Sequence, residues 1–260
     1  MKYTAKLPDD SVNISRENPL KSVFKLSIAL AVIAFAAYFV MGFVINAAVS
    51  SVTPEQEAKL EKLLSFNVNI SETNSSYLVA VTQKLAKCAD LPYNIRIRIM
   101  EDKEPNAFAV PGGWIYITRG ILDKMESENE LAFIIGHELG HFKNRDHLRA
   151  LGYKLVFGMI GLMIGSDYGA TASMTLNIGS SRHSQSAELE ADAFGLEVMH
   201  CAYGTVTGAT KLFEKMDKGG EWKYFMATHP GFKERVKKMK KKSIEEGYDA
   251  SSKPIPLGKI

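Results

Sequence analysis

His137-Glu138-Leu139-Gly140-His141 is the segment of this chain whose residue types and spacing point most directly to chemistry. Histidines four apart on a helix share one face, so both imidazoles can reach a single ion. Glu138 stands beside them and can reach a metal-bound water without ligating the metal. Zinc acidifies such a water, the carboxylate takes its proton, and the hydroxide attacks a polarised carbonyl. Two surface histidines on an ordinary helix would give the same short pattern. The apolar run Leu131–Ile135 just before it argues for burial instead. A third ligand is available in Ser184-Gln185-Ser186-Ala187-Glu188, where Glu188 and Asp192 again lie four apart. Two histidines and a glutamate leave one position of tetrahedral zinc open, as catalytic sites do. Asp192 would then orient a ligand imidazole through its free N–H. Taken alone, such an acidic pair is usually a solvated helix face.

These side chains need helices to carry them and a core to hold the helices. Ser127-Glu128-Asn129-Glu130 is a capping-box sequence that starts the first metal helix, and Ser184 caps the second. Upstream, Thr53-Pro54 begins a short amphipathic helix over 55–64, residues 65–75 read as a polar loop, and residues 76–88 as a helix. Ile95, Ile97 and Ile99 alternate with Arg96 and Arg98, the pattern of a half-buried strand. Asn106–Val110 and Trp114–Thr118 make two more strands around a turn at Pro111-Gly112-Gly113. Three short strands followed by long helices predict an α+β fold, mainly helical with a small three-stranded sheet.

The chain has 260 residues, 46% hydrophobic and 23% charged, with two cysteines. This excludes a disordered chain and a disulfide-stapled miniprotein. A net charge of +3 is too small to point to nucleic acid, and a mean hydropathy of −0.08 is too low for many membrane spans. The averages hide segregation. Residues 26–54 carry no charge, residues 55–235 carry 20 basic and 23 acidic side chains, and residues 236–260 carry seven and three. Leu26–Val49 is an apolar stretch long enough to cross a bilayer. A cleaved signal peptide ending at Ala48-Val49-Ser50 is the rival reading, but the apolar stretch and its leader are both too long for one. Lys6, Arg16, Lys21 and Lys25 precede the span, against Lys59 and Lys62 after it. That bias predicts a cytoplasmic N-terminus and an extracytoplasmic body. The expected organisation is a cytoplasmic segment over 1–25, an anchor over 26–49, a metallopeptidase domain over 55–240 and a basic flexible tail over 241–260. The second apolar run, 155–165, is too short to span and reads as a buried or membrane-surface helix.

The H-E-x-x-H helix followed by Glu188-Leu189-Glu190-Ala191-Asp192 resembles the HtpX-like and CAAX prenyl protease-like gluzincin zinc metallopeptidases. The resemblance covers about residues 55–240. It includes Asn106-Ala107-Phe108-Ala109 with Pro111-Gly112-Gly113, Glu130-Leu131-Ala132, and Thr228-His229-Pro230 with Arg235. It implies a gluzincin-type domain, His137, His141 and Glu188 as ligands of one zinc ion, and Glu138 as general base. It also implies that His229 and Arg235 stand at the active site, as an oxyanion-stabilising pair or with Arg235 holding Asp192. The strand Asn106–Ala109 would bind substrate by edge pairing. The chain departs from the pattern at Arg145-Asp146, where relatives often have Arg-His, so His147 is assigned no role. His183 and His200 read as structural or exposed. Cys88 and Cys201 are equally consistent with a disulfide and with two buried thiols.

The expected protein is a zinc endopeptidase of the inner membrane with a periplasmic catalytic domain, acting on unfolded or damaged envelope proteins. Its partners would be polypeptides and, through 26–49, the lipid bilayer. The rivals are a membrane-tethered chaperone or binding module with a non-catalytic zinc site, and a soluble protease released at Ser50.

Overall fold

The computed structural model describes residues 19–63, 75–163, 183–216 and 222–260. It divides into two units, residues 1–47 and 48–260. The described residues of the first belong to helix α1 (Pro19–Ser51), whose last turn belongs to the second. Pro19 takes the first helical position, where its missing N–H costs nothing. Among the described residues α1 is the one helix long and apolar enough to cross a membrane. It includes the expected span and starts seven residues before it.

The second unit begins with α2 (Pro54–Leu63), entered through a reciprocal Thr53–Gln56 cap. Glu57 of α2 is fully buried. It accepts hydrogen bonds from His147 Nε2 at 2.7 Å and from the Gly112 amide at 3.1 Å, tying α2 to the sheet and to a later helix. Helix α3 (Ser76–Ala89) is capped by Ser75 and buries Leu78, Val81, Thr82, Leu85 and Ala89, a stripe at helical spacing. The loop expected over 65–75 lies outside the described residues except for that capping serine.

The sheet has the order β1-β3-β2, with β1 (Arg96–Met100), β2 (Ala107–Val110) and β3 (Trp114–Thr118). Strands β1 and β3 run parallel, and β2 and β3 form an antiparallel hairpin. The hairpin turn needs glycine: Gly113 has φ +83°, and a Cβ there would fall 2.7 Å from the Asn94 carbonyl oxygen. Ile97 and Ile99 face the core, while Arg96 and Arg98 stack on the Trp114 ring. This leaves β2 as an edge beside helix α5.

A short helix α4 (Arg119–Leu122) leads to α5 (Glu128–Asn144), whose cap is Ser127, as expected. Helix α6 (Asp146–Met163) follows, then α7 (Gln185–Tyr203) with its Ser184 cap. Helices α5 and α7 pack closely because small residues meet at their crossing. A Cβ on Gly140 would lie 2.6 Å from Ala191 Cα, and Gly136 faces Gly195. Any larger residue there would push apart the two helices that carry the candidate metal-binding side chains. Cys88 and Cys201 form a disulfide joining the ends of α3 and α7, which resolves the alternatives left by the sequence. Helices α8 (Lys211–Met216), α9 (Lys223–Thr228) and α10 (Phe232–Glu245) complete the described residues.

Two expectations change. The chain beyond residue 240 is not a free tail: α10 continues to Glu245, and the last residues lie back on the body. The Val206 amide bonds Asp249 O, the Glu128 amide bonds Ile255 O, and the Ile255 amide bonds Asn129 Oδ1. Backbone pairing and Asn129 hold this segment despite its polar composition. The apolar run at 155–163 lies in α6 with Phe157 and Met159 exposed, which sets aside the buried alternative and leaves the membrane-surface one; residues 164 and 165 lie outside the described residues.

Candidate metal centre

Helix α5 turns His137 and His141 to the same side, with their Nε2 atoms 3.1 Å apart. Helix α7 brings Glu188 to face them, 3.5 Å from each Nε2. His229, just after α9, completes the group: its Nδ1 is 3.4 Å from His137 Nε2 and 3.1 Å from Glu188 Oε1. The four potential ligand atoms lie within 4.8 Å of one another, and all four residues are buried. Converging nitrogen and carboxylate donors with no solvent access suit one small cation, and a bare cluster of this kind would otherwise cost desolvation energy.

The outer nitrogens of both helix histidines are held by carboxylates. His137 Nδ1 lies 2.9 Å from Asp192 Oδ1, and His141 Nδ1 lies 2.9 Å from Asp146 Oδ2. Arg235 of α10 is fully buried and donates to both Asp192 oxygens at 2.7 Å, while its Nη1 is 2.5 Å from Glu188 Oε2. Its guanidinium rests over the Phe213 ring.

The ionisation states follow from this packing. Burial opposes ionisation of Asp192, but Arg235 outweighs it and holds the carboxyl below the usual range. Burial opposes Glu188 in the same way, and His229 and Arg235 hold its carboxyl well below that range. Burial pushes the His137 imidazole down against the pull of Asp192 and Glu188. Burial also opposes charge on His141, yet hydrogen bonds to Asp146 and Glu188 raise its pKa to about 10. Two ionised carboxylates and a neutral His137 are the forms a divalent cation binds, and a cation would displace the proton from His141.

Glu138 differs from every other acid in the centre. It is 1% exposed, and both carboxylate oxygens are buried without a hydrogen-bond partner among the described residues. A buried carboxylate costs several kcal/mol unless something compensates it. A metal and its attendant water would supply that compensation, so the residues present fit the group the sequence suggested.

All the residues singled out on the two metal helices therefore meet: His137, Glu138, His141, Glu188 and Asp192. His229 and Arg235 join them. Of the two readings of Arg235, the geometry is that of a clamp on Asp192 and Glu188. Ala107–Ala109 falls on the edge strand and Asn106 directly precedes it: Ala107 and Ala109 are buried, Phe108 stacks on Tyr116, and the Asn106 amide donates to Thr118 Oγ1 at 2.8 Å. Two residues were missed. Asp146 touches a helix histidine, and His183 stacks on the His141 ring at 4.0 Å. His183 is not exposed; burial drives its imidazole far below the ordinary value. Asp146 follows the helix break at Arg145, and His183 precedes the Ser184 cap, so neither shares the four-residue spacing that revealed the others. His147, given no role, is the partner of Glu57.

Comparison with known proteins gives the same picture. The chain is 30% identical over 151 residues to the mitochondrial metalloendopeptidase OMA1 of Schizosaccharomyces pombe, covering 55% of this chain and 45% of that protein. It is 34% identical over 118 residues to a protease HtpX homolog of Thermodesulfovibrio yellowstonii, covering 44% and 39% respectively. It is 28% identical over 167 residues to the metalloprotease LoiP of Escherichia coli, covering 59% and 64%. The chain thus spans about half the length of several of the relatives it matches. The family model described as Peptidase family M48 matches residues 72–243, a stretch that runs from the approach to α3 through Arg235 and takes in every residue of the metal centre. By that match the chain belongs to Peptidase family M48.

Proposed function

We propose that the protein is a membrane-anchored, zinc-dependent endopeptidase that hydrolyses peptide bonds in unfolded or damaged envelope proteins. The observation that carries this reading is the buried carboxylate of Glu138, without a hydrogen-bond partner among the described residues, beside a His137–His141–Glu188 donor set. Bound there, zinc would supply Lewis acidity for a water and for the scissile carbonyl. Glu138 takes the proton of the attacking water on a carboxylate oxygen and passes it to the departing amine. Asp192 keeps the His137 proton on Nδ1, which leaves Nε2 as the ligand. Arg235 is a positioning residue, since Asp192, Glu188 and the His229 carbonyl occupy its guanidinium. His229, whose Nδ1 lies 3.1 Å from Glu188 Oε1 at the edge of the donor set, is the residue assigned to stabilise the oxyanion.

Substrate is expected to add as a strand to the free edge of β2. Backbone pairing there fixes the scissile bond with little side-chain selectivity, as suits unfolded substrates. The α1 span anchors the chain. The excess of basic residues before the span favours a cytoplasmic N-terminus, and the Cys88–Cys201 disulfide suits an oxidising compartment such as the periplasm.

The test is Glu138→Gln in the full chain, assayed on unfolded casein with zinc content measured in parallel. Retained zinc with at least a hundredfold loss of hydrolysis is expected, general bases contributing about 10²–10⁴. Hydrolysis at the parent rate would refute the mechanism. Zinc binding without hydrolysis by the parent would favour the chaperone reading.

A further inference from the structure

We infer that Asp146 is the positioning residue that holds His141 as a metal ligand, a role made possible by the break between α5 and α6. This rests on the metal-centre reading above and assigns a residue to it. His141 directs Nε2 at the cluster and Nδ1 away from it, and the carboxylate that meets Nδ1 belongs to Asp146, at 2.9 Å. The distance equals that between His137 and Asp192. The two histidines are therefore held alike, one by an acid from another helix and one by an acid from the next turn of chain. A carboxylate on Nδ1–H selects the tautomer whose Nε2 lone pair faces the metal, and it raises the basicity of that nitrogen.

Residues five apart on a continuous helix do not share a face, so Asp146 could not reach His141 if α5 ran on. Arg145 breaks the helix in the left-handed conformation, with φ 59° and ψ 31°. This conformation is unfavourable for a residue with a side chain. The Arg145 side chain gives the break its anchorage: Nη1 donates to Val49 O at 2.6 Å, Nη2 to Val52 O at 2.5 Å, and Nε to the Tyr93 hydroxyl. Glycine would adopt the backbone more easily but could make none of these bonds. Asp146 is 7% exposed, and its second oxygen accepts from Arg149 Nη1 at 3.0 Å, so the carboxylate is fixed on both sides.

The experiment compares zinc dissociation constants of the full chain in detergent, by competition with a chromophoric chelator, for the parent, Asp146→Ala and Asp146→Asn. Loss of an outer partner to a ligand histidine weakens metal binding by about 10–100-fold, and this is expected for Asp146→Ala. Asp146→Asn keeps an oxygen that accepts the Nδ1 proton and should recover most of the affinity. A purely structural role for the acid would give no such recovery. The unfolding midpoint of each zinc-free protein separates loss of fold from loss of ligand orientation; if Asp146→Ala does not fold, the Asp146→Asn constant decides alone. Parent affinity in Asp146→Ala, or a hundredfold loss in Asp146→Asn, would overturn the inference while leaving the metal reading intact. A parent that binds no zinc would overturn both.

Discussion

Helix α1 carries no charged residue from Leu26 to Ser51 and leaves Phe35, Phe39 and Phe43 more than half exposed. Helix α5 carries three glutamates and two histidines, yet 14 of its 17 residues are buried. Hydrophobicity alone would reverse the two. Exposed apolar surface on this scale is stable only where lipid takes the place of water. Buried charge is stable only where each group has a partner, and apart from Glu138 the buried charged groups of α5 find theirs on α7, α8 and α10 and in the first turn of α6. The contrast shows that burial here follows the available partner: opposite charge within the second unit and, in the proposed function, lipid around α1 and a metal beside Glu138.

The contrast breaks most sharply at Arg235. Arg235→Met leaves Asp192 and Glu188 without their shared cation and should cost about 3–5 kcal/mol, read as a lowered denaturation midpoint of the zinc-free protein. A loss below about 1 kcal/mol would mean the centre does not depend on charge pairing. The corresponding break in α1 is Phe35→Arg. A cation near the middle of a span costs about 2.5–3.5 kcal/mol of insertion. The membrane-extracted fraction should rise while the unfolding of the second unit stays unchanged; an unaltered partition would speak against α1 as a span.

Glu57 sharpens the comparison, as the first buried charge after the span. Burial opposes its ionisation, but His147 and the Gly112 amide outweigh that and lower its pKa. A carboxylate depressed in the folded state adds stability above its unfolded value of about 4.3 and loses it as pH falls through the folded value. Glu57→Gln should therefore lower the melting temperature at pH 7, by the equivalent of about 1–3 kcal/mol, and the gap should close below about pH 4. A gap that stays constant down to pH 3 would show that the charge of Glu57 contributes nothing.

Much of the centre was readable because helical spacing is periodic. His137 with His141, and Glu188 with Asp192, each announce a shared face, and Ser127 and Ser184 mark where those helices begin. Asp146 was hidden because it reaches His141 only through a left-handed residue, and nothing in Arg145-Asp146 signals that conformation. The pairing of Cys88 with Cys201 was undecidable because the two are 113 residues apart. The final segment read as solvated from its composition, whereas its backbone amides and carbonyls pair with Glu128, Asn129 and Val206.

The sequence by itself determined the apolar stretch, the two helices that carry the candidate ligands, the α+β class and the identity of the acid beside the histidine pair. Each is a local property, since chain length, side-chain period and capping chemistry act within a few residues. Only the tertiary structure decided that Asp192 and Glu188 engage Arg235, that Glu138 has no hydrogen-bond partner among the described residues, and that Asp146 meets His141. Those outcomes depend on which groups meet across helices and on what solvent they lose in doing so, and one-dimensional spacing carries neither.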